Sequence, residues 1–200
     1  ISAAITKLET LLDEDFDKVA GGSLFDNKEY MDCYASVYNM CTQRPPHNHT
    51  DQLYDRHGSS IEDYLSRSVM PSLEKLDCEH LLKAINRRWK NHQIMNKWMY
   101  NFFNYLDRYH VSYSQVSSLS EVGLRQFKIV VFDQIKVSLA TAVISIINTE
   151  RDGTFIDESL VRSCVSLFEN MGLRSMRVYE EDFEQELLES SKVYYTDKTA

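Results

Sequence analysis

His47 and His49 form an His-x-His pair in a proline-rich stretch, the spacing of a partial metal site. A tightly held ion needs three or four ligands, and no third is suggested nearby. The four cysteines stand at 33, 41, 78 and 164, with no Cys-x-x-Cys pair and no zinc-like spacing. They are expected to be buried, reduced thiols of a cytosolic or nuclear protein. No glycine-rich phosphate loop and no Gly-x-Ser-x-Gly elbow occurs. Glu180, Glu181, Asp182, Glu184 and Glu186 form an acidic run, read as a solvated helix face. Arg87, Arg88 and Lys90 flank Trp89. That cluster is too narrow for a nucleic-acid face, and Trp89 is expected in the core. Asn48-His49-Thr50 matches the glycosylation triplet, but without a secretory signal it is read as chance. The expectation is a binding module with no catalytic residues, no metal and no cofactor.

The elements that would present such a binding face are helices. Hydrophobic residues make up 43% of the 200 residues, enough for a core, while Gly (6) and Pro (3) are scarce. That scarcity disfavours a turn-rich β fold and favours long helices. A net charge of −8 disfavours a phosphate backbone as partner. The longest apolar run, 139–147, is too short to cross a bilayer. The chain starts at Ile1 rather than Met, so a fragment of a longer protein is expected.

Apolar periodicity predicts helices over 2–19, 27–43, 50–73, 79–90 and 91–109. Gly21-Gly22 is expected to stop the first and Pro45-Pro46 the second. Thr50 is the expected N-cap of the third, with a possible break at Gly58. The serine-rich stretch 112–120 reads as a linker. Further helices are predicted over 121–151, 157–171 and 176–195, and no strand. Five helices, a hinge and at least three more suggest a helical repeat array.

Two of these helices carry more apolar surface than one core face needs. On 27–43, Tyr30, Met31, Tyr34, Val37, Tyr38 and Cys41 fall within about 120° of arc. On 91–109, Met95, Trp98, Phe102, Phe103, Tyr105, Leu106 and Tyr109 spread over about 180°. Either both helices are sandwiched in a bundle or part of each arc meets a partner. Tyr30, Tyr34 and Tyr38 form a ridge at i, i+4, i+8, and Tyr and Met suit interfaces.

Several segments, in order along the chain, resemble the cullin family. They are Tyr30-Met-Asp-Cys-Tyr34-Ala-Ser-Val-Tyr38-Asn-Met-Cys41-Thr, Tyr105-Leu-Asp-Arg108, Glu121-Val-Gly-Leu-Arg-Gln-Phe127, Glu150-Arg-Asp-Gly153 with Ile156-Asp157, and Tyr179-Glu-Glu-Asp-Phe183 with Tyr194-Tyr195. Gln43-Arg-Pro-Pro-His47 and Gln52-Leu-Tyr-Asp55 look like the version in plant cullins of the F-box type. The resemblance implies an all-α, elongated cullin-repeat fold. Residues 1–111 would be a five-helix first repeat, 112–120 a turn, and 121–200 the incomplete start of a second.

It further implies a non-catalytic scaffold of a ubiquitin ligase, in cytoplasm and nucleus. Its tip would bind a BTB/POZ-fold adaptor carrying an F-box protein. The implied contact residues are Tyr30, Met31, Tyr34 and Tyr38, with Leu106 and His110 from the fifth helix. Val37 and Phe103 join them from the helical wheel. His110 departs from the family's usual aromatic there. A RING subunit would bind only the family's C-terminal half, which these residues do not match. The alternative is a truncated cullin-like regulator that occupies the adaptor without supporting ubiquitination.

Overall fold

The computed structural model describes residues 1–14 and 24–199. Their regular structure is all helical, with no strand among the described residues. They fall into two compact units, Ile1–Val69 with Trp89–Phe127, and Met70–Arg88 with Lys128–Ala200.

In the first unit, α1 (Ser2–Glu14) buries Ile5, Leu8 and Leu12, the i, i+3, i+7 stripe of an amphipathic helix. Its expected end at Gly21-Gly22 lies outside the described residues. α2 (Asn27–Cys41) begins at a complete capping box. The Asp26 carboxylate accepts from the Glu29 N–H at 2.8 Å, and Glu29 accepts from the Asp26 N–H at 3.0 Å. The helix stops two residues before the expected Gln43, ahead of Pro45-Pro46.

α3 (Thr50–Tyr64) starts at Thr50 rather than being capped by it. The cap position is His49, and the Asn48 side chain takes the Thr50 N–H at 3.0 Å. Gly58 does not break α3. It lets α5 (Leu119–Phe127) approach, since a Cβ there would lie 3.2 Å from Val122 Cγ1. After Tyr64 the chain widens into a π-helical turn (Leu65–Val69) and then a 3₁₀ turn (Met70–Ser72), so the helix expected to reach Leu73 ends early.

The expected break between 90 and 91 is absent, and α4 runs unbroken over Cys78–Leu106. Neither Gly nor Pro interrupts it. Asn91 is buried and donates to the Leu12 carbonyl in the last turn of α1 at 2.7 Å, so it joins helices instead of ending one. A π-helical turn (Asp107–Val111) and a short turn (Ser112–Ser114) follow, closed by Gln115 at φ 52°. The serine-rich stretch is therefore mostly helical. Ser118 and Glu121 cap α5 reciprocally at 3.2 Å each, and Asp107 accepts from the Leu119 N–H at 2.9 Å. Trp89 is buried as expected, packed with His92 and Phe127.

In the second unit, a π-helical turn (Lys128–Phe132) leads into α6 (Asp133–Arg151). α7 (Glu158–Met171) is capped by Asp157, which accepts from the Leu160 N–H at 3.0 Å. A turn (Arg177–Tyr179) and a fourth π-helical turn (Glu180–Glu184) open α8 (Gln185–Thr199). Phe132 meets Phe168 edge-on at 5.2 Å, and Phe168 meets Phe183 at 5.1 Å. The acidic run is not wholly solvated, because Asp182 pairs with Lys136 at 2.8 Å and Phe183 between its carboxylates is buried. Leu119–Arg151 is long and apolar enough, by length and composition alone, to cross a bilayer. Its Asp133 and Lys136 are ion-paired, and its buried Leu139, Ala140 and Val143 are those of a core helix.

The thiols differ from expectation at one position. Cys33, Cys41 and Cys164 are buried, and burial pushes the Cys164 thiol up to about 12. Cys78, at the first residue of α4, is exposed.

Candidate docking surface

The capping box fixes where α2 starts, and its inner stripe fixes which way it faces. Cys33, Val37 and Cys41, four residues apart, are buried against the first unit's core. That rotation leaves Tyr30 and Tyr34 half-buried, their rings 6.4 Å apart, with Met31 54% and Tyr38 45% exposed. The end of α4 comes alongside. Tyr105 meets Tyr38 edge-on at 5.1 Å and leans on Tyr109 at 4.6 Å. Partial desolvation among these rings raises the Tyr105 phenol above its ordinary value. Tyr109 is 59% exposed.

The result is an aromatic face crossing from α2 to α4. Each ring offers apolar area at low entropic cost plus a polar tip, which suits a protein partner better than a small substrate. Phe25, just before α2, packs on Trp98 and Phe102 of α4, with centroids among the three rings 4.8–5.8 Å apart.

Not every residue expected on this surface reaches it. Val37, Phe103 and Leu106 are 0–1% exposed. Phe103 packs edge-on against buried His57 at 5.4 Å. These three hold the face in place and do not present area of their own. The His110 ring lies 5.2 Å from Tyr54, and its Nδ1 is 3.3 Å from Ser114 Oγ and 3.6 Å from Asp51 Oδ1. Only 11% of its side chain is exposed. Tyr54 in turn donates to the Ser117 carbonyl at 2.7 Å, so His110 belongs to the cluster that pins the chain reversal after α4. Tyr105 and Tyr109 had a readable signal, since they repeat the four-residue spacing of the α2 tyrosines. Tyr113 continues it and is 92% exposed.

The other chemical candidates do not converge. His49 Nδ1 is taken by Gln52 Oε1 at 2.7 Å. No group of three His, Cys, Asp or Glu side chains is placed to hold a metal among the described residues. A groove of 480 Å³ between α1, α2 and α3 is lined by Arg67 and Glu9, already paired at 2.7 Å, and by Arg56 and Asp63, 4.0 Å apart.

Over residues 9–200 the chain matches the cullin alpha solenoid domain family. It is 41% identical over 187 residues to Cullin-1 of Oryza sativa subsp. japonica, covering 94% of this chain and 24% of that protein. Against Cullin-2 of Arabidopsis thaliana it is 34% identical over 196 residues, covering 98% and 26%. Against Cullin-like protein 3 of Arabidopsis thaliana it is 30% identical over 200 residues, covering 100% of this chain and 75% of that protein. The chain thus spans 24–26% of the length of the first two relatives.

Proposed function

The chain belongs to the cullin family, and on that premise we propose that it is the N-terminal scaffold segment of a cullin-RING-type E3 ubiquitin ligase. In this reading residues 1–111 form the first repeat, 112–120 the turn, and 121–200 the start of a second. The segment docks a BTB/POZ-fold adaptor that carries an F-box substrate receptor, in cytoplasm and nucleus. It makes and breaks no bond. Helical rigidity fixes the gap between receptor and ubiquitin donor, which raises the effective concentration of substrate lysines at the donor.

The observation that carries the reading is the aromatic face of α2 and α4, with Met31, Tyr38 and Tyr109 exposed together. Tyr30 and Tyr34 extend it along α2. Central aromatic anchors of this type dominate binding energy at protein interfaces.

The test is calorimetric titration of a recombinant BTB/POZ adaptor–F-box complex into the wild-type chain and into Met31→Ala with Tyr38→Ala. Loss of two hot-spot side chains should weaken binding at least about 30-fold. Both residues are exposed, so the helical circular-dichroism melt should not move. Unchanged affinity in the double variant would overturn the assignment.

A second reading is a short cullin-like regulator that occupies the adaptor without supporting ubiquitination. It is supported by Cullin-like protein 3, three-quarters of which this chain covers. Sequencing the full-length transcript distinguishes the two, since the scaffold requires a downstream RING-binding half.

A further inference from the structure

The second unit contains a groove of 380 Å³ bounded by the start of α4, the last turns of α6 and the start of α7. Its lining is apolar at Ile146, Ile156, Leu160 and Val161. The turn after α6 is bent by Gly153 at φ 90°, a conformation that suits glycine, and it carries Phe155 on the groove's rim. The Phe155 ring stands wholly in solvent, at 103% relative exposure. A free benzyl group beside an apolar hollow is surface that marks a binding site. The exposed thiol of Cys78 lies on the wall that α4 contributes.

Charge selects the occupant. Glu79 and Asp157 line the groove, and Glu150 and Glu158 line the recess that adjoins it behind Phe155. No Lys or Arg lines either space among the described residues. Lys83 comes close, but it pairs with Glu79. Lys83 is also within electrostatic reach of Asp157, which leaves Glu150 and Glu158 to set the sign of the rim. An anionic membrane or a nucleic acid would be repelled by it, whereas a cationic segment gains on both encounter and contact.

We propose that this groove docks a protein segment with one large apolar side chain flanked by lysines or arginines, such as one face of a basic amphipathic helix. The apolar anchor enters between Ile146 and Leu160 and packs on Phe155. The flanking cations meet the acidic rim. This site is separate from the α2–α4 face and does not depend on it.

The experiment uses a fluorescein-labelled peptide of about a dozen residues with a single Phe among lysines, and its Phe→Ala counterpart. Binding is read by anisotropy, and occupancy by the rate at which iodoacetamide alkylates Cys78. The Phe peptide should saturate and slow Cys78 alkylation at least about fivefold. Phe155→Ala, and Glu150→Lys with Glu158→Lys, should each weaken it at least about tenfold. All three positions are exposed, so the melt should be unchanged. Equal binding of the Ala peptide, or unslowed alkylation, would mean general attraction of a cation to a chain of net charge −8 and would overturn the proposal. Tighter binding to anionic vesicles or duplex DNA than to the peptide would overturn it as well.

Discussion

Two side chains on the same helix, Val37 and Tyr38, should fail in opposite ways when truncated. Val37 is fully buried, so Val37→Ala leaves a cavity and lowers stability by roughly 1–3 kcal/mol with little direct effect on a partner. Leu106→Ala, equally buried, should cost about 2–5 kcal/mol. Tyr38→Ala should leave the urea midpoint almost in place and weaken adaptor binding. Paired denaturation and titration measurements check this contrast, and a cold core at Tyr38 would appear as a shifted midpoint. The wheel found all three because angle around a helix follows from spacing. Depth does not. Whether a residue at the edge of an arc lies under a neighbouring helix depends on where that helix crosses, which local spacing does not encode.

His57 and His92 make a second prediction at this scale. Burial pushes both down to about 4, with the Gly123 backbone partly offsetting the effect at His92. Each is neutral in the native state, while the unfolded chain protonates near the ordinary histidine value. The unfolded state therefore binds more protons between about pH 6.5 and 4, and stability falls as pH falls through that window. At pH 5 each histidine should contribute about 2 kcal/mol of this loss. Urea midpoints at pH 7 and pH 5 measure it. A His57→Gln variant that folds should lose part of the pH dependence, and a midpoint equally pH-dependent in that variant would rule out His57 as a source.

Helix ends differ in how visible their causes are. α7 ends at Met171, where its predicted range ended, and a Cβ on the next residue, Gly172, would sit 1.8 Å from the Ser175 carbonyl oxygen. Gly172→Ala should therefore force the backbone to shift, costing on the order of 1–3 kcal/mol in thermal melts. Gly58→Ala faces only a 3.2 Å contact with a valine methyl and should cost less. At the other end of α2, Asp26→Ala removes the capping box and should cost about 1 kcal/mol. The α2 stop ahead of Pro45-Pro46 was legible because proline acts within a few residues, whereas Asp157, expected as the first helical residue of α7, is its cap. The unbroken α4 was not legible. Its polar middle reads as a boundary until Asn91 is seen meeting α1. The four π-helical turns among the described residues were also illegible, since such a local widening leaves no residue signature in the sequence.

For the whole molecule, the all-helical class followed from scarce glycine and proline together with three-to-four-residue apolar periodicity. For the aromatic face, spacing and resemblance marked Tyr30, Met31, Tyr34 and Tyr38 of α2, whereas Leu106 and His110, expected beside them, are turned inward and Tyr105 and Tyr109 stand there instead. Because the chain spans only 24–26% of two relatives, the isolated 200 residues should compete with a full-length cullin for the adaptor. Added in excess to a reconstituted ligation reaction, they should slow substrate ubiquitination, and the Met31→Ala, Tyr38→Ala variant should not. Slowing by both would point to an effect unrelated to the aromatic face.

The π-helical turn at Asp107–Val111 has a consequence for how such a surface changes over time. Such a turn amounts to one extra residue in an α-helix. The wider turn absorbs that residue, so losing a single codon within it would restore the ordinary helical repeat and leave the side chains beyond on their present faces. Tyr113 would keep its line with Tyr105 and Tyr109, whereas the same loss inside the regular turns of α4 would swing everything beyond by about 100° around the axis. The aromatic edge at this end of the helix can therefore absorb a one-residue deletion at the π-helical turn but not within α4.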